Sequence, residues 1–400
     1  MRLVNREQIS AARELLANVV RRTPMEHARD LHSSHGGDVY LKCENLQRTG
    51  SFKIRGAYTR IHGLSAEERA RGVVAASAGN HAQGVALAAN LLGISATVFM
   101  PELAPLPKLA ATRAYGAEVH TQGAVLSEAL DSATAFAERT GAVFIHPFDH
   151  QDIVAGQGTV GLEIVEQVPD VATVLVATGG GGLVSGLAAA LRAVKPAVRV
   201  VGVQARNAAA FPPSLMAGGP VPLESTQTMA DGIAVAEPGP VTYAHVSELV
   251  DDVVTVSEES LSRAVLLCLE RRKMVAEPAG AASLAAMLEY PGEFPGPVVA
   301  LLSGGNVDPL LLLQIIQHGM TAGGRYLQLQ LRVPDRPGSL AGVLSKVGEL
   351  GANVLDVHHS RISGALALGE VEVSLNLETR GAEHCATVSA ELQRAGYIVL

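Results

Sequence analysis

The chain has 400 residues, 48% apolar and 18% charged, with 41 glycines, 4% aromatics, no tryptophan and a formal net charge of −8. That length suits two or three domains, and that apolar content excludes a disordered chain. An acidic balance with few rings gives neither a phosphate-backbone surface nor a base-stacking platform, so no nucleic-acid partner is expected.

In chain order, periodicity predicts a helix over 7–21 and a short strand over 38–43. Apolar runs follow at 72–76, 96–100, 142–145, 172–177, 200–203 and 297–302. Helical stretches at 80–92, 106–115, 124–139, 156–168 and 183–193 lie between them. Strands alternating with helices imply βαβ units and parallel sheet, with both faces covered. The stretch 205–257 is expected to be loop-rich, and the βα pattern then resumes to about 318. A linker follows at 319–325. Residues 326–400 read as strand 326–333, helix 339–350, strands 353–361 and 366–377, helix 382–395 and strand 397–400. That is the βαββαβ, ferredoxin-like order.

Two runs without Asp, Glu, Lys or Arg, 72–101 and 171–191, are long enough to span a membrane. The first is interrupted by Ser77-Ala78-Gly79-Asn80-His81 and the second by Gly179 to Gly182, so strand, loop and helix read better than a span and no membrane partner is expected. Cys43, Cys268 and Cys385 are odd in number and far apart, with no CxxC, and the start lacks a signal-peptide core. A reduced, cytoplasmic protein is expected.

Four segments carry chemistry. Lys53 sits between apolar neighbours at a helix start, where the positive helix end and desolvation both favour a neutral amine. Schiff-base chemistry needs such an amine, although a surface lysine in a first helical turn has the same local sequence. Ser77 to His81 places small residues between strand and helix, either to hold an anion or to cap the helix through Ser77 or Asn80. Gly179, Gly180, Gly181 and Gly182 form a backbone nest suited to a phosphate, or a flexible turn. Ser303 to Asn306 ends the last core strand, where a hydroxyl can meet a ring nitrogen or Ser303 or Asn306 can cap a helix. All three turns fall at the C-terminal ends of strands, where α/β sheets bind ligands. An amine, an anion turn, a phosphate nest and a ring partner together fit pyridoxal phosphate.

These motifs, in this order, resemble the fold-type II pyridoxal-phosphate enzymes, specifically the threonine/serine dehydratases. Further matches are Pro105 to Lys108, His146-Pro147-Phe148-Asp149, Gly156 to Thr159, Ala230-Asp231-Gly232 and Glu277 to Ala281. The likeness covers essentially residues 1–318, and Val333 to Leu340 resembles an ACT regulatory domain. The resemblance implies a catalytic domain at 1–318 with a small subdomain inserted at about 55–145, a linker at 319–325 and an ACT-like domain at 326–400. It implies that Lys53 binds the cofactor aldehyde and moves the α-proton, and that Phe52 packs on the ring. Asn80 would meet the phenolic oxygen, Ser303 the pyridine nitrogen, and Gly179 to Gly182 the phosphate. Ser77 and the backbone of Gly79, Asn80 and His81 would hold the substrate carboxylate. Glu277 would lie beside the cofactor or serve as a structural carboxylate.

The activity so implied is β-elimination from threonine to 2-oxobutanoate and ammonia, with serine to pyruvate as a secondary reaction. A serine racemase-like enzyme and a non-catalytic amino-acid sensor are the alternatives. Racemases of this kind carry a second serine where this chain has Ala78. Relatives that bind a divalent cation carry carboxylates where this chain has Gln204 and Asn207 to Ala210, so no metal is expected. Gly338 and Asn353 are the candidate contacts for an isoleucine or valine effector, and a homodimer or homotetramer is expected.

Overall fold

The computed structural model describes residues 2–32, 36–361 and 366–400. The chain divides into two compact units, Met1–Leu312 and Leu313–Leu400.

The first unit holds two sheets. The larger has six strands in the order Met25–His27, Val39–Cys43, Val298–Leu302, Thr173–Ala177, Arg199–Ala205 and Asp252–Val256. Its first pair is antiparallel and the others are parallel. The smaller sheet has four parallel strands in the order Glu118–Thr121, Ala96–Met100, Val73–Ala76 and Val143–Phe144. The chain thus starts the large sheet, leaves to build the small one over 73–144, and returns. Each sheet has its own apolar core. Ile54, Val85, Val98 and Ile145 belong to one, and Val174, Leu187, Val200 and Leu301 to the other. Burial on both faces of Thr173–Ala177 and Val298–Leu302 explains why those runs carry no alternation.

Several elements differ from the sequence expectation. The first helix spans Arg6–Leu16, fixed by a capping box between Asn5 and Gln8, and stops short of 21. The stretch 205–257 is more ordered than expected: it contains helices Phe211–Ala217 and Pro240–Leu249 and the edge strand Asp252–Val256. Pro212, Pro213 and Pro240 stand in the first turns of those helices, so they start structure rather than interrupt it. The edge strand Glu118–Thr121 is hidden in the sequence because it lacks an apolar run and is half-exposed. The helix expected from 156 begins at Gln151, with His150 accepting from the Asp152 amide. Glycines inside it are packing residues. A Cβ at Gly158 would lie 2.8 Å from the Gly186 carbonyl oxygen, and one at Gly186 would lie 2.2 Å from that of Val154.

The second unit has four antiparallel strands, Tyr326–Pro334, Asn353–Ser360, Glu370–Glu378 and Ile398–Val399, in sheet order second, third, first, fourth. Helices Ser339–Glu349 and Ala382–Arg394 complete the βαββαβ order and share a core with Leu331, Val347, Val373 and Val388. The helix Pro309–Ala322 runs past 318 into the 319–325 segment and ends before Gly323 and Gly324. Among the described residues no helix is long and apolar enough to cross a membrane.

Candidate active site

The segment leading to Lys53 is held by the turn at the end of the central strand Val298–Leu302. The Phe52 amide donates to the Ser303 carbonyl at 3.2 Å, and the Gly305 amide to the Gly50 carbonyl at 2.9 Å. Lys53 then opens the helix Lys53–His62. Its Nζ donates to the Pro147 carbonyl at 3.0 Å and lies 5.2 Å from the centre of the Phe52 ring. Burial pulls the amine down to about 8, and the Glu277 charge opposes this only in part. A Cβ at Gly84 would sit 3.2 Å from the Lys53 Cβ, so a glycine lets the neighbouring helix press against the lysine.

That neighbouring helix, Asn80–Leu91, starts at the 77–81 turn and has no side-chain cap. The capping reading of Ser77 and Asn80 therefore fails, and the first amides of the helix are left to a ligand. The Ser77 hydroxyl accepts from the Gly79 amide at 3.1 Å. The His81 ring is turned into the protein, with Nε2 donating to the Ile145 carbonyl at 2.8 Å. Burial, reinforced by the Lys53 charge, pulls that ring down to about 3, so it is neutral. Only the backbone of His81 is available to a substrate.

Asn80 faces two partners. Its Nδ2 donates to Glu277 at 2.5 Å, and its Oδ1 accepts from Asn306 Nδ2 at 2.7 Å. Glu277 is 4% exposed, and burial followed by the Asp231 charge pushes its carboxyl up to about 7. Asn306 does not cap the following helix; the Asp308 carboxylate does so by accepting from the Leu310 amide at 2.9 Å.

The glycine loop joins Thr173–Ala177 to the helix Gly182–Val194, which has no side-chain cap. Gly181 has φ 94°, a left-handed conformation that favours glycine. A Cβ at Gly180 would lie 2.3 Å from the Phe148 ring, and one at Gly181 would lie 2.6 Å from the Phe211 ring. The loop is thus packed from behind, not flexible. The 146–149 segment links the two centres: Pro147 holds Lys53 and Phe148 supports the glycines. The His146 Nδ1 accepts from the Asp149 amide at 2.8 Å and fixes the turn.

Lys53, Phe52, Asn80, Glu277 and Ser303 are therefore tied together by bonded contacts or chain adjacency. Gly338 and Asn353 are not brought together. Gly338 follows the end of Tyr326–Pro334, whereas Asn353 pairs with Glu378 opposite Tyr326. The length of that strand, about 27 Å, separates them. Gln204, which stands where cation-binding relatives are expected to carry a carboxylate, accepts from the Phe211 amide at 3.0 Å. Among the described residues no group of three or more His, Cys, Asp or Glu is placed to hold a metal.

Sequence reasoning misses a buried ion cluster two residues from Lys53. Arg55 meets Glu44 at 2.8 Å and Glu163 at 2.7 Å, and Lys42 meets Glu163 at 2.6 Å. It also misses the Lys108–Asp231 ion pair at 2.8 Å, which joins the Leu106–Ala114 helix to the Asp231–Ile233 turn. Glu163 is 108 positions from Arg55 and Asp231 is 123 from Lys108, too far for any local pattern to pair them. An arginine amid apolar neighbours at 55 is the only local sign.

Residues 16–304 match the family described as pyridoxal-phosphate dependent enzyme. The chain belongs to this family. It is 47% identical over 397 residues to an L-threonine ammonia-lyase of Thermotoga maritima, covering 99% of each chain. It is 46% identical over 392 residues to one of Geobacter sulfurreducens, covering 98% of each. Among solved structures it resembles the T.th. threonine deaminase, with 43% identity and a TM-score of 0.72, over 76% of this chain and 99% of that one. Maize serine racemase is also similar, with 37% identity and a TM-score of 0.74, over 78% and 97%. The site suits the family's cofactor. A half-buried amine of lowered pKa meets the need for Schiff-base attachment, and four bare glycines at an uncapped helix start suit a phosphate.

Proposed function

We propose that this protein is a threonine ammonia-lyase, releasing 2-oxobutanoate and ammonia from threonine and, as a secondary reaction, pyruvate from serine. The observation that carries the reading is the Lys53 amine donating to the Pro147 carbonyl, with Gly84 of the helix that opens at the uncapped 77–81 turn against Lys53 and Phe148 against the glycine loop. Relatives named for this activity match the chain end to end.

When bound, pyridoxal phosphate supplies an electron-withdrawing ring that acidifies the Cα–H of an attached amino acid. The protein does the rest. Gly179 to Gly182 would hold the phosphate through backbone amides. Phe52 would pack on the ring, and Asn80 would meet its phenolic oxygen. Ser303 would hydrogen-bond the ring nitrogen without giving it a charge, which would favour elimination over transamination. Ser77 and the backbone of Gly79, Asn80 and His81 bind the substrate carboxylate and orient the Cα–H toward Lys53. The Lys53 Nζ, as a neutral amine, would take that proton. The racemase alternative is disfavoured by Ala78, which leaves the opposite face without a proton donor.

The βαββαβ unit is read as an ACT-like regulatory domain at 326–400, joined through 319–325 to a catalytic domain at 1–318 with its insertion at about 55–145. A single copy holds Gly338 and Asn353 at opposite ends of its sheet. A site using both, for isoleucine or valine, therefore requires two copies, in keeping with a homodimer or homotetramer. The expected setting is the cytoplasm.

The test is steady-state kinetics with threonine and serine, with and without isoleucine and valine. Threonine is expected to give the higher kcat/KM. Lys53→Ala is expected to lose turnover and the cofactor's visible band together, and retained turnover would overturn the assignment.

A further inference from the structure

Asn306 reads from sequence as a helix cap and has no place in the chemistry described above, yet it stands at the centre of a hydrogen-bond chain. Its Nδ2 donates to the Thr49 carbonyl at 2.6 Å and to Asn80 Oδ1 at 2.7 Å, with Gln83 Oε1 at a longer 3.4 Å. A backbone carbonyl can only accept, so the nitrogen of Asn306 must face Thr49. The same nitrogen then supplies a donor to Asn80, whose oxygen must face it. The Asn80 nitrogen is left toward Glu277, which accepts one of its two hydrogens. The reversed amide would set oxygen against carboxylate.

The turn that supplies the carbonyl is built for this contact. Thr49 has φ 62° and Gly50 φ 70°. A β-branched residue rarely adopts that region, and such strain concentrates at functional sites. A Cβ at Gly50 would lie 2.4 Å from Asn306 Oδ1, so only glycine leaves the side chain its place. The Gly305–Gly50 backbone bond at 2.9 Å clamps the two segments together.

We propose that Asn306 is a positioning residue, which, with the left-handed Thr49–Gly50 turn, fixes the Asn80 amide so that an N–H and not an oxygen faces the cofactor. The proposal rests on the reading that Asn80 meets the cofactor's phenolic oxygen. Occupying Oδ1 with one donor and one Nδ2 hydrogen with Glu277 leaves a single N–H for the ring. Without Asn306 the amide is held from the Glu277 side alone.

The experiment uses purified, cofactor-loaded protein and follows the bound cofactor's visible absorbance against pH. Variants are Asn80→Ala, the nearly isosteric Asn306→Asp, Asn306→Ala, and the double variant Asn80→Ala/Asn306→Ala. A hydrogen bond to an ionised oxygen corresponds to a titration shift of about one pH unit. Asn80→Ala is expected to move the midpoint by about that much, and both Asn306 variants to move it the same way. The double variant is expected to move it no further than Asn80→Ala, because Asn306 acts through Asn80. Asn306 variants with the unaltered midpoint, beside a shifted Asn80→Ala, would overturn the positioning role and leave the Asn80 contact standing. An additive double variant would overturn it too, since Asn306 would then act by another route. An unmoved Asn80→Ala would instead overturn the Asn80 reading on which the proposal rests.

Discussion

Lys53 and Arg55 are two residues apart on one helix, the first half-buried and the second fully buried, and they meet opposite fates. Arg55 is 0% exposed, but its guanidinium is matched by two carboxylates and by the Thr159 hydroxyl at 3.1 Å. Burial alone would favour neutrality at every one of these groups. The Glu44 and Glu163 charges outweigh it and hold Arg55 above its ordinary range, while Arg55 holds Glu44 below the usual carboxylate range. Lys53 has a carbonyl as its bonded partner and Glu277 as a more distant charge, so burial prevails. Glu277 likewise has a neutral amide as its bonded partner and rises to about 7. Residues at i and i+2 face different sides of a helix. One side of this helix therefore carries matched charges that keep their protons in place. The other carries poorly matched charges whose protons can move near neutral pH, as chemistry at a cofactor requires.

The sharpest way to break this contrast is to unmatch the matched side. Arg55→Met leaves Glu44 and Glu163 buried with only Lys42 against them, and should destabilise the apoprotein by about 3–5 kcal/mol in urea titrations. A loss under about 1 kcal/mol would mean that Arg55 and Lys53 do not differ in kind.

A smaller effect of opposite sign is expected at Lys53. Its folded pKa of about 8 lies below the ordinary 10.5, so the fold penalises the ammonium. The penalty is complete below pH 8 and fades as pH rises from 8 to 10.5. Lys53→Met should therefore stabilise the cofactor-free protein at neutral pH by up to about 3 kcal/mol, with the gain disappearing above pH 10.5. Thermal denaturation across that range checks it, and a loss of stability at neutral pH would refute it.

The smallest expected effect is kinetic. Schiff-base formation needs the neutral amine, so the rate of cofactor uptake should climb with pH to a midpoint of about 8 and then level. The Glu277 charge raises the Lys53 pKa, so Glu277→Gln should move that midpoint downward by less than one unit. Stopped-flow absorbance distinguishes this from an unchanged or raised midpoint.

Contiguous features are legible in the sequence. Gly179 to Gly182 offers only backbone, and the strand–loop–helix setting is visible in the same short run. The uncapped start at Asn80 is half legible: the turn can be read, but whether Ser77 or Asn80 caps it depends on coordinates. The 205–257 stretch misleads because prolines that open helices look, in one dimension, like prolines that end them. Asn306 misleads for a related reason. Asparagine before a helix is an ordinary cap, but Asp308 directly before Pro309 is the better-placed one, and it takes that place.

The sequence by itself determined the alternating βα order, the position of the candidate lysine, the four-glycine loop and the βαββαβ tail. Each follows from periodicity or from residue types in one short segment, where backbone geometry and neighbouring side chains decide the outcome. Only the tertiary structure decided which buried groups keep their charge, which partners the Asn80 amide meets, and that Pro147 and Phe148 join Lys53 to the glycine loop. Those outcomes depend on partners far away in the chain, such as Glu163 beside Arg55 and Asn306 beside Asn80. Burial and pairing act through distances in space, which local sequence does not encode.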